Sequence, residues 1–154
     1  MNNIKKARAV GINHIALEVG DIEEALDFYG LFLEFKLRGK SDKMAFIDLG
    51  DQFIALSAGR EQPTDDDRHF GLVVDDKQAV GEILNNLNIK MLSERFMDFH
   101  DPWGNRIEIV EYKGVQFTKD RDVLNGMQLS DMRKTPDALK QLEEKGMAPS
   151  SPEA

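Results

Sequence analysis

The stretch HIALEVGDIEEALDFYGLFLEFKL, residues 14–37, is written a second time as HFGLVVDDKQAVGEILNNLNIKML, residues 69–92. His14 matches His69, Leu17 matches Leu72, Val19 matches Val74 and Asp21 matches Asp76. After a one-residue deletion, Leu33, Phe35 and Lys36 match Leu87, Ile89 and Lys90. Self-similarity over this length marks an internal duplication, and it decides the architecture before any single element is assigned. Both copies open on a histidine, in a chain that has only three.

Each copy reads as strand, helix and three strands. Residues 10–19, VGINHIALEV, alternate and are rich in β-branched residues, which predicts a strand. Asp21 caps a helix over IEEALDFYGLFL, with Glu23 and Glu24 in the first turn where the helix dipole favours them. Strands follow in EFKLR, KMAFIDLG and QFIALSAG. The second copy runs through HFGLVVD, a helix over KQAVGEILNNL, and strands IKMLS, RFMDFHD and RIEIVEY, with AFIDLGD set against RFMDFHD. Between the copies, REQPTDDDR (60–68) carries the proline and charge run of a solvated connector.

Beyond Lys113 the pattern changes. TKDRDVLNGM predicts a short helix capped by Thr118 and stopped by Gly126. TPDALKQLEEKGM has Thr135 as N-cap, Pro136 at the first helical position and Gly146 past the end. Leu139 and Leu142 form one apolar stripe, suited to the body of the protein or a subunit partner. The closing APSSPEA has the composition of a disordered tail.

At 154 residues the chain is long enough for one domain with a proper core. It contains no cysteine, which excludes disulfides, thiolate metal sites and a cysteine nucleophile, and fits a reducing compartment. The opening MNNIKKARAV lacks the apolar core of a signal peptide, and no apolar run approaches a membrane span, so a soluble, cytoplasmic protein is expected. A net charge of -8 repels a phosphate backbone, so nucleic acid is not an expected partner.

Strand parity then locates the chemistry. Ile15, Leu17 and Val19 share one face of the first strand, opposite His14, Ala16 and Glu18; Phe70, Leu72 and Val74 likewise oppose His69, Gly71 and Val73. The apolar faces must cover the helices, so both histidines are expected to look into whatever cavity the sheets enclose. RIEI (106–109) falls opposite FIAL (53–56) in the repeat, which puts Glu108 at the position of Ala55. Glu108 is then expected to face inward beside Arg106, Val110 and Tyr112, and a carboxylate pointing into a half-apolar cavity is costly unless paired or bound to a metal. His14, His69 and Glu108 thus make a two-histidine, one-carboxylate set, with Ala55 as an empty fourth place. Such a set suits a divalent first-row ion with positions left open.

NHIALEVGDIEEALDFY, RHFGLVVDD and FHDPWGNRIEIVEY resemble the vicinal oxygen chelate superfamily, which includes glyoxalase I, methylmalonyl-CoA epimerase, type I extradiol dioxygenases, fosfomycin-resistance transferases and bleomycin-binding proteins. The resemblance covers residues 10–113. It implies an α+β fold in which two tandem βαβββ modules, about 10–58 and 69–113, form a cup-shaped, barrel-like mixed sheet. Residues 1–113 would make one domain, with 114–154 a helical extension. By position it implies the metal ligands His14, His69 and Glu108, holding one divalent ion (Fe, Mn, Zn, Ni or Co).

Departures from the family pattern narrow the chemistry. Glyoxalase I and the epimerase use a fourth ligand where Ala55 stands, so proton-shuttling isomerisation has only Glu18 as a weak base. The transferases carry a threonine where this chain has Ala16, and the dioxygenases use a further histidine, for which only His100 remains. The expectation is a metal-dependent dioxygenase-, lyase- or transferase-like enzyme for a small substrate that chelates through adjacent oxygens, with Phe53, Arg106 and Tyr112 as substrate contacts. The alternative is a metal-free small-molecule binding or sequestration protein of the bleomycin-resistance type. A homodimer is expected, since modules of this family commonly pair edge to edge.

Overall fold

The computed structural model describes residues 12–148. Strand β1 (His14–Val19) leads to α1 (Ile22–Gly30), β2 (Leu37–Lys40), β3 (Met44–Asp48) and β4 (Phe53–Ala58). The second copy contributes β5 (His69–Val74), α2 (Lys77–Asn86), β6 (Asp98–His100) and β7 (Arg106–Glu111). A 3₁₀ turn (Tyr112–Gly114) and helices α3 (Arg121–Gly126) and α4 (Pro136–Glu144) follow among the described residues. The result is an α+β fold with two mixed sheets.

The repeated helix starts have a common cause. Asp21 Oδ1 accepts from the Glu24 N–H at 3.0 Å, and Asp76 Oδ1 accepts from the Ala79 N–H at 2.9 Å. Each carboxylate satisfies one of the donors that a helix leaves unpaired at its N-terminus.

Sheet order is β1-β4-β3-β2 in the first copy and β5-β7-β6 in the second. In both, the first strand runs parallel to the last: His14 pairs with Phe53 and Ala16 with Ala55, as His69 pairs with Arg106 and Gly71 with Glu108. The register therefore makes Glu108 the counterpart of Ala55, as the repeat requires. The two sheets stay separate within one chain, each keeping its own edges.

Three expectations need correction. IKMLS (89–93) forms no strand: Ser93 Oγ accepts from the Arg95 and Phe96 N–H groups, folding the segment into a turn. Only the Leu92 N–H reaches Asp98 O, at 2.9 Å, so the second sheet has three strands. The pairing of AFIDLGD with RFMDFHD is two residues out of step, because Asp98 lies opposite Glu108 as Phe46 lies opposite Ala55. Finally, α3 is capped by Asp120, whose carboxylate accepts from the Asp122 N–H at 2.8 Å, and not by Thr118. The start of the predicted first strand (residues 10 and 11) and the tail after Ala148 lie outside the described residues.

The halves share one core. Ile22, Ala25, Phe28 and Tyr29 of α1 are buried with Phe32, whose ring meets Phe99 of β6 edge-on at 5.6 Å. Each such large apolar side chain contributes roughly 1.5–3 kcal/mol on burial. Above this core runs a polar bridge between the copies. Tyr29 donates to Asp101 Oδ2 at 2.9 Å, and Asn105 Nδ2 donates to Asp101 Oδ2 at 2.7 Å and to Glu18 O at 2.9 Å. Burial and the Asp101 carboxylate raise the Tyr29 hydroxyl well above its ordinary pKa, so it stays a donor. Trp103 lies directly over Gly20, where an added Cβ would come within 2.8 Å of the indole Cδ1.

The connector 60–68 is fastened, not merely solvated. The Arg60 side chain is 4% exposed; it donates to Asn105 Oδ1, to Pro63 O at 2.6 Å and to Asp65 at 3.3 Å. Burial works against ionisation of Asp65, but Arg68 and Arg60 outweigh it and hold the carboxyl below its usual range.

Lys134 ties the start of the extension to the 3₁₀ turn. Its ammonium donates to Tyr112 O at 2.5 Å, Val115 O at 2.9 Å and Phe117 O, and lies 3.5 Å from the Tyr112 ring centroid. Burial pushes this amine down to about 8, a cost that the carbonyls and the ring offset in part. Thr135 caps α4 with Pro136 at the first position, and Gly146 takes φ 67 after its end, as the sequence predicts. Of the expected stripe Leu142 is buried and Leu139 only half-buried; the buried face of α4 is Ala138 and Leu142, which are one helical turn apart.

Candidate metal centre

Parity puts the candidate ligands on the strand faces opposite the helices, but among the described residues of one chain those faces enclose no common cavity. Leu17, Val19, Leu72 and Val74 are buried on the helix side, and His14 and His69 are exposed on the opposite faces. On β7, Ile107 and Ile109 are fully buried while Glu108 is half-buried on the histidine face.

The two histidines are held alike. His14 Nδ1 is 2.9 Å from Asn13 Oδ1, and His69 Nδ1 is 2.8 Å from Asp67 O. Both partners are acceptor oxygens, so Nδ1 is the donor in each contact and Nε2 is the ring nitrogen left free. His69 Nε2 then faces Glu108 Oε2 at 3.6 Å. A lone pair and a carboxylate repel at that distance unless a cation stands between them, either a second ring proton or a metal ion. The donor set fits such an ion: imidazole nitrogens oriented by hydrogen bonds to the far nitrogen are the usual arrangement of metal-ligating histidines.

His14 stands elsewhere. Its ring stacks on Phe53 at 4.7 Å and 11°, and Arg38 lies 4.8 Å from the Phe53 centroid. Among the described residues, no three His, Asp or Glu side chains of one chain converge on a common point. The structure thus brings His69 and Glu108 together and leaves His14 on the first sheet.

The other candidates fall as follows. His100 Nε2 donates to Asp65 O at 2.7 Å, which ties the ring to the connector. Glu18 is exposed, beside His14 and Ala16 on β1. Arg106 is committed to Asp98 Oδ2, with its Nε at 3.0 Å, and to Asp66 O at 2.7 Å. Tyr112 is buried in the 3₁₀ turn under Lys134, off the strand face that carries Glu108. Phe53 and Tyr112 both border a cleft of about 810 Å³ between the copies, with Phe32, Ile54, Val80 and Leu124 among its apolar walls. Sequence reasoning did not reach Asn13 and Asp67, which set the ring tautomers; their places just before each histidine were the available signal. It also passed over Asp98, 2% exposed, whose Oδ1 has no partner among the described residues.

The family model described as the Glyoxalase/Bleomycin resistance protein/Dioxygenase superfamily matches residues 11–109. The chain belongs to that superfamily. Within it, the metallothiol transferase FosB of Staphylococcus saprophyticus is 29% identical over 112 residues, covering 64% of this chain and 74% of that one. The metallothiol transferase FosB of Lysinibacillus sphaericus is 26% identical over 111 residues, covering 63% and 79%. Among solved structures, the fosfomycin resistance protein FosX of Listeria monocytogenes superposes with a TM-score of 0.58 at 18% identity, over 68% of this chain and 94% of that one. Lactoylglutathione lyase from Agrobacterium tumefaciens gives 0.55 at 21% identity, over 69% and 96%. At these identities the superpositions bear on the superfamily fold alone.

Proposed function

We propose that this superfamily member is a divalent-metal-dependent enzyme of transferase or lyase type whose site is completed between two chains. His14 of one chain joins His69 and Glu108 of another, so that the first sheet of each protomer faces the second sheet of its partner and the cup closes in the dimer. The observation that carries the reading is the Nε2 lone pair of His69 aimed at the Glu108 carboxylate, with His14 held in the same tautomer on a sheet that does not meet them. The likeness to two metallothiol transferases supports a metal and favours transfer over isomerisation.

A bound ion would supply Lewis-acid polarisation of two adjacent substrate oxygens. The chain's own residues do the rest. Asn13 and Asp67 engage Nδ1 of each ring and so leave Nε2 as the ligating nitrogen. Ala16, Ala55 and Gly71 add little bulk beside the three ligands, and this leaves room for substrate. With no cysteine in the chain, any thiol to be transferred comes from a co-substrate.

Elemental analysis after reconstitution with Mn, Fe, Co, Ni or Zn tests this. One ion per chain is expected, lost in His14→Ala and His69→Ala and kept in His100→Ala. Ala55→Glu should bind the ion more tightly by restoring a fourth donor. Failure of the wild type to take up any of the five metals would leave the metal-free binding protein as the better reading.

A further inference from the structure

The two faces that the proposed dimer brings together have diverged at equivalent positions. Register makes Phe53 the counterpart of Arg106 and Phe46 the counterpart of Asp98. Where the second sheet carries the Asp98–Arg106 ion pair beside Glu108, the first carries two phenyl rings beside Ala55, 5.9 Å apart at 71°. Met44, two residues before Phe46 and on its side of β3, is 37% exposed and extends the apolar surface.

Phe53 is held by the His14 imidazole and the Arg38 guanidinium, so its ring is fixed. Phe46 stands across it, half-buried, as the side chain free to meet a ligand. The arginines of these faces are occupied. Arg38 is bound by Asp48 at 3.0 Å and by Gly50 O and Gln52 O at 2.8 Å, and Arg106 by Asp98 and Asp66 O. A phosphonate or carboxylate group would have to break one of these sets to gain a guanidinium partner. A flat apolar ring needs none of them.

Resting on the metal reading above, we propose that the substrate carries its pair of oxygens on an aromatic ring, which lies against Phe46 of one chain while the oxygens face Glu108 of the other. Phe46 is then a specificity-determining residue, and Phe53 positions both it and His14. Ring–ring contacts at a partly exposed site are strong enough to decide between ligands.

The test uses the full chain, with and without zinc, titrated with 4-nitrocatechol (an aromatic ring with adjacent oxygens) and with phosphonoformate (adjacent oxygens and no ring). Nitrocatechol should bind at least about tenfold more tightly. Phe46→Ala should weaken it about tenfold while metal content and phosphonoformate affinity stay unchanged, and Phe46→Tyr should restore it. Phosphonoformate binding as tightly as nitrocatechol, no nitrocatechol binding to the wild type, or indifference to Phe46→Ala would each overturn the proposal. Metal content, measured separately, judges the metal reading. If no zinc is taken up, the dependence of nitrocatechol binding on Phe46 in the metal-free protein still decides for or against the aromatic wall.

Discussion

His69 Nε2 lies 3.6 Å from Glu108 Oε2, on neighbouring parallel strands, with the Nδ1 proton of the same ring given to Asp67 O. Two acceptors do not face each other at that distance without a cation. The partner arrangement on the first sheet is the Asn13–His14 contact, which likewise engages Nδ1 and leaves Nε2 free.

Removing the group that holds the ring should therefore be felt in metal binding. Asn13→Ala leaves the imidazole free to rotate and to change tautomer, so metal affinity should fall about 10–100-fold with little change in melting temperature. Competition against a chelator of known affinity measures it. An unchanged affinity would mean that the Asn13 contact does not orient His14.

The contact of Trp103 with Gly20 predicts a packing cost that joins the two copies. In Gly20→Ala the new methyl meets the indole, so the variant should lose about 1–3 kcal/mol. Trp103→Leu removes the opposing ring, so in the double variant the Gly20→Ala change should cost less than it does alone. Urea denaturation of all four proteins reads the coupling.

Acid should loosen the connector. Arg68 and Arg60 hold Asp65 below the ordinary carboxylate range, so its ionised form stabilises the fold fully above the unfolded value of about 4. That contribution is lost as pH falls through the lower, folded value. Because Asp65 O, Asp66 O and Asp67 O hold His100, Arg106 and His69, hydrogen exchange at 65–69 should rise first. Asp65→Asn should be less stable at pH 7 and show a flatter acid dependence.

Lys134 gathers three carbonyls of residues 112–117 under one ammonium. Lys134→Met deprives three carbonyls of their donor and should cost about 2–4 kcal/mol. Limited proteolysis should then cut within 115–148 while the sheets stay protected.

Much of this was legible because the repeat fixes parity. The faces of His14, His69 and Glu108, the vacancy at Ala55, the Asp21 and Asp76 caps and the Thr135–Gly146 helix all follow from side-chain period and capping chemistry. Residues 89–93 misled because a short apolar run resembles a strand, while Ser93 turns the chain before a ladder can form. The connector's charges looked solvated because composition cannot show that Arg60 has a buried Asn105 to reach. Parity also says which way His14 points but not which sheet it faces, and so its distance from His69 within one chain lay beyond the sequence.

The measurement that tests the account most directly mixes two inactive chains. His14→Ala and His69→Ala, each unable to hold metal alone, are unfolded together at equal concentration, refolded and assayed for zinc. If His14 acts with the partner's second sheet, each mixed dimer regains one intact site, and about a quarter of all sites should fill. Zinc no higher in the mixture than in either variant alone, with the wild type fully loaded and the mixed dimer shown to form, would contradict a site shared between chains.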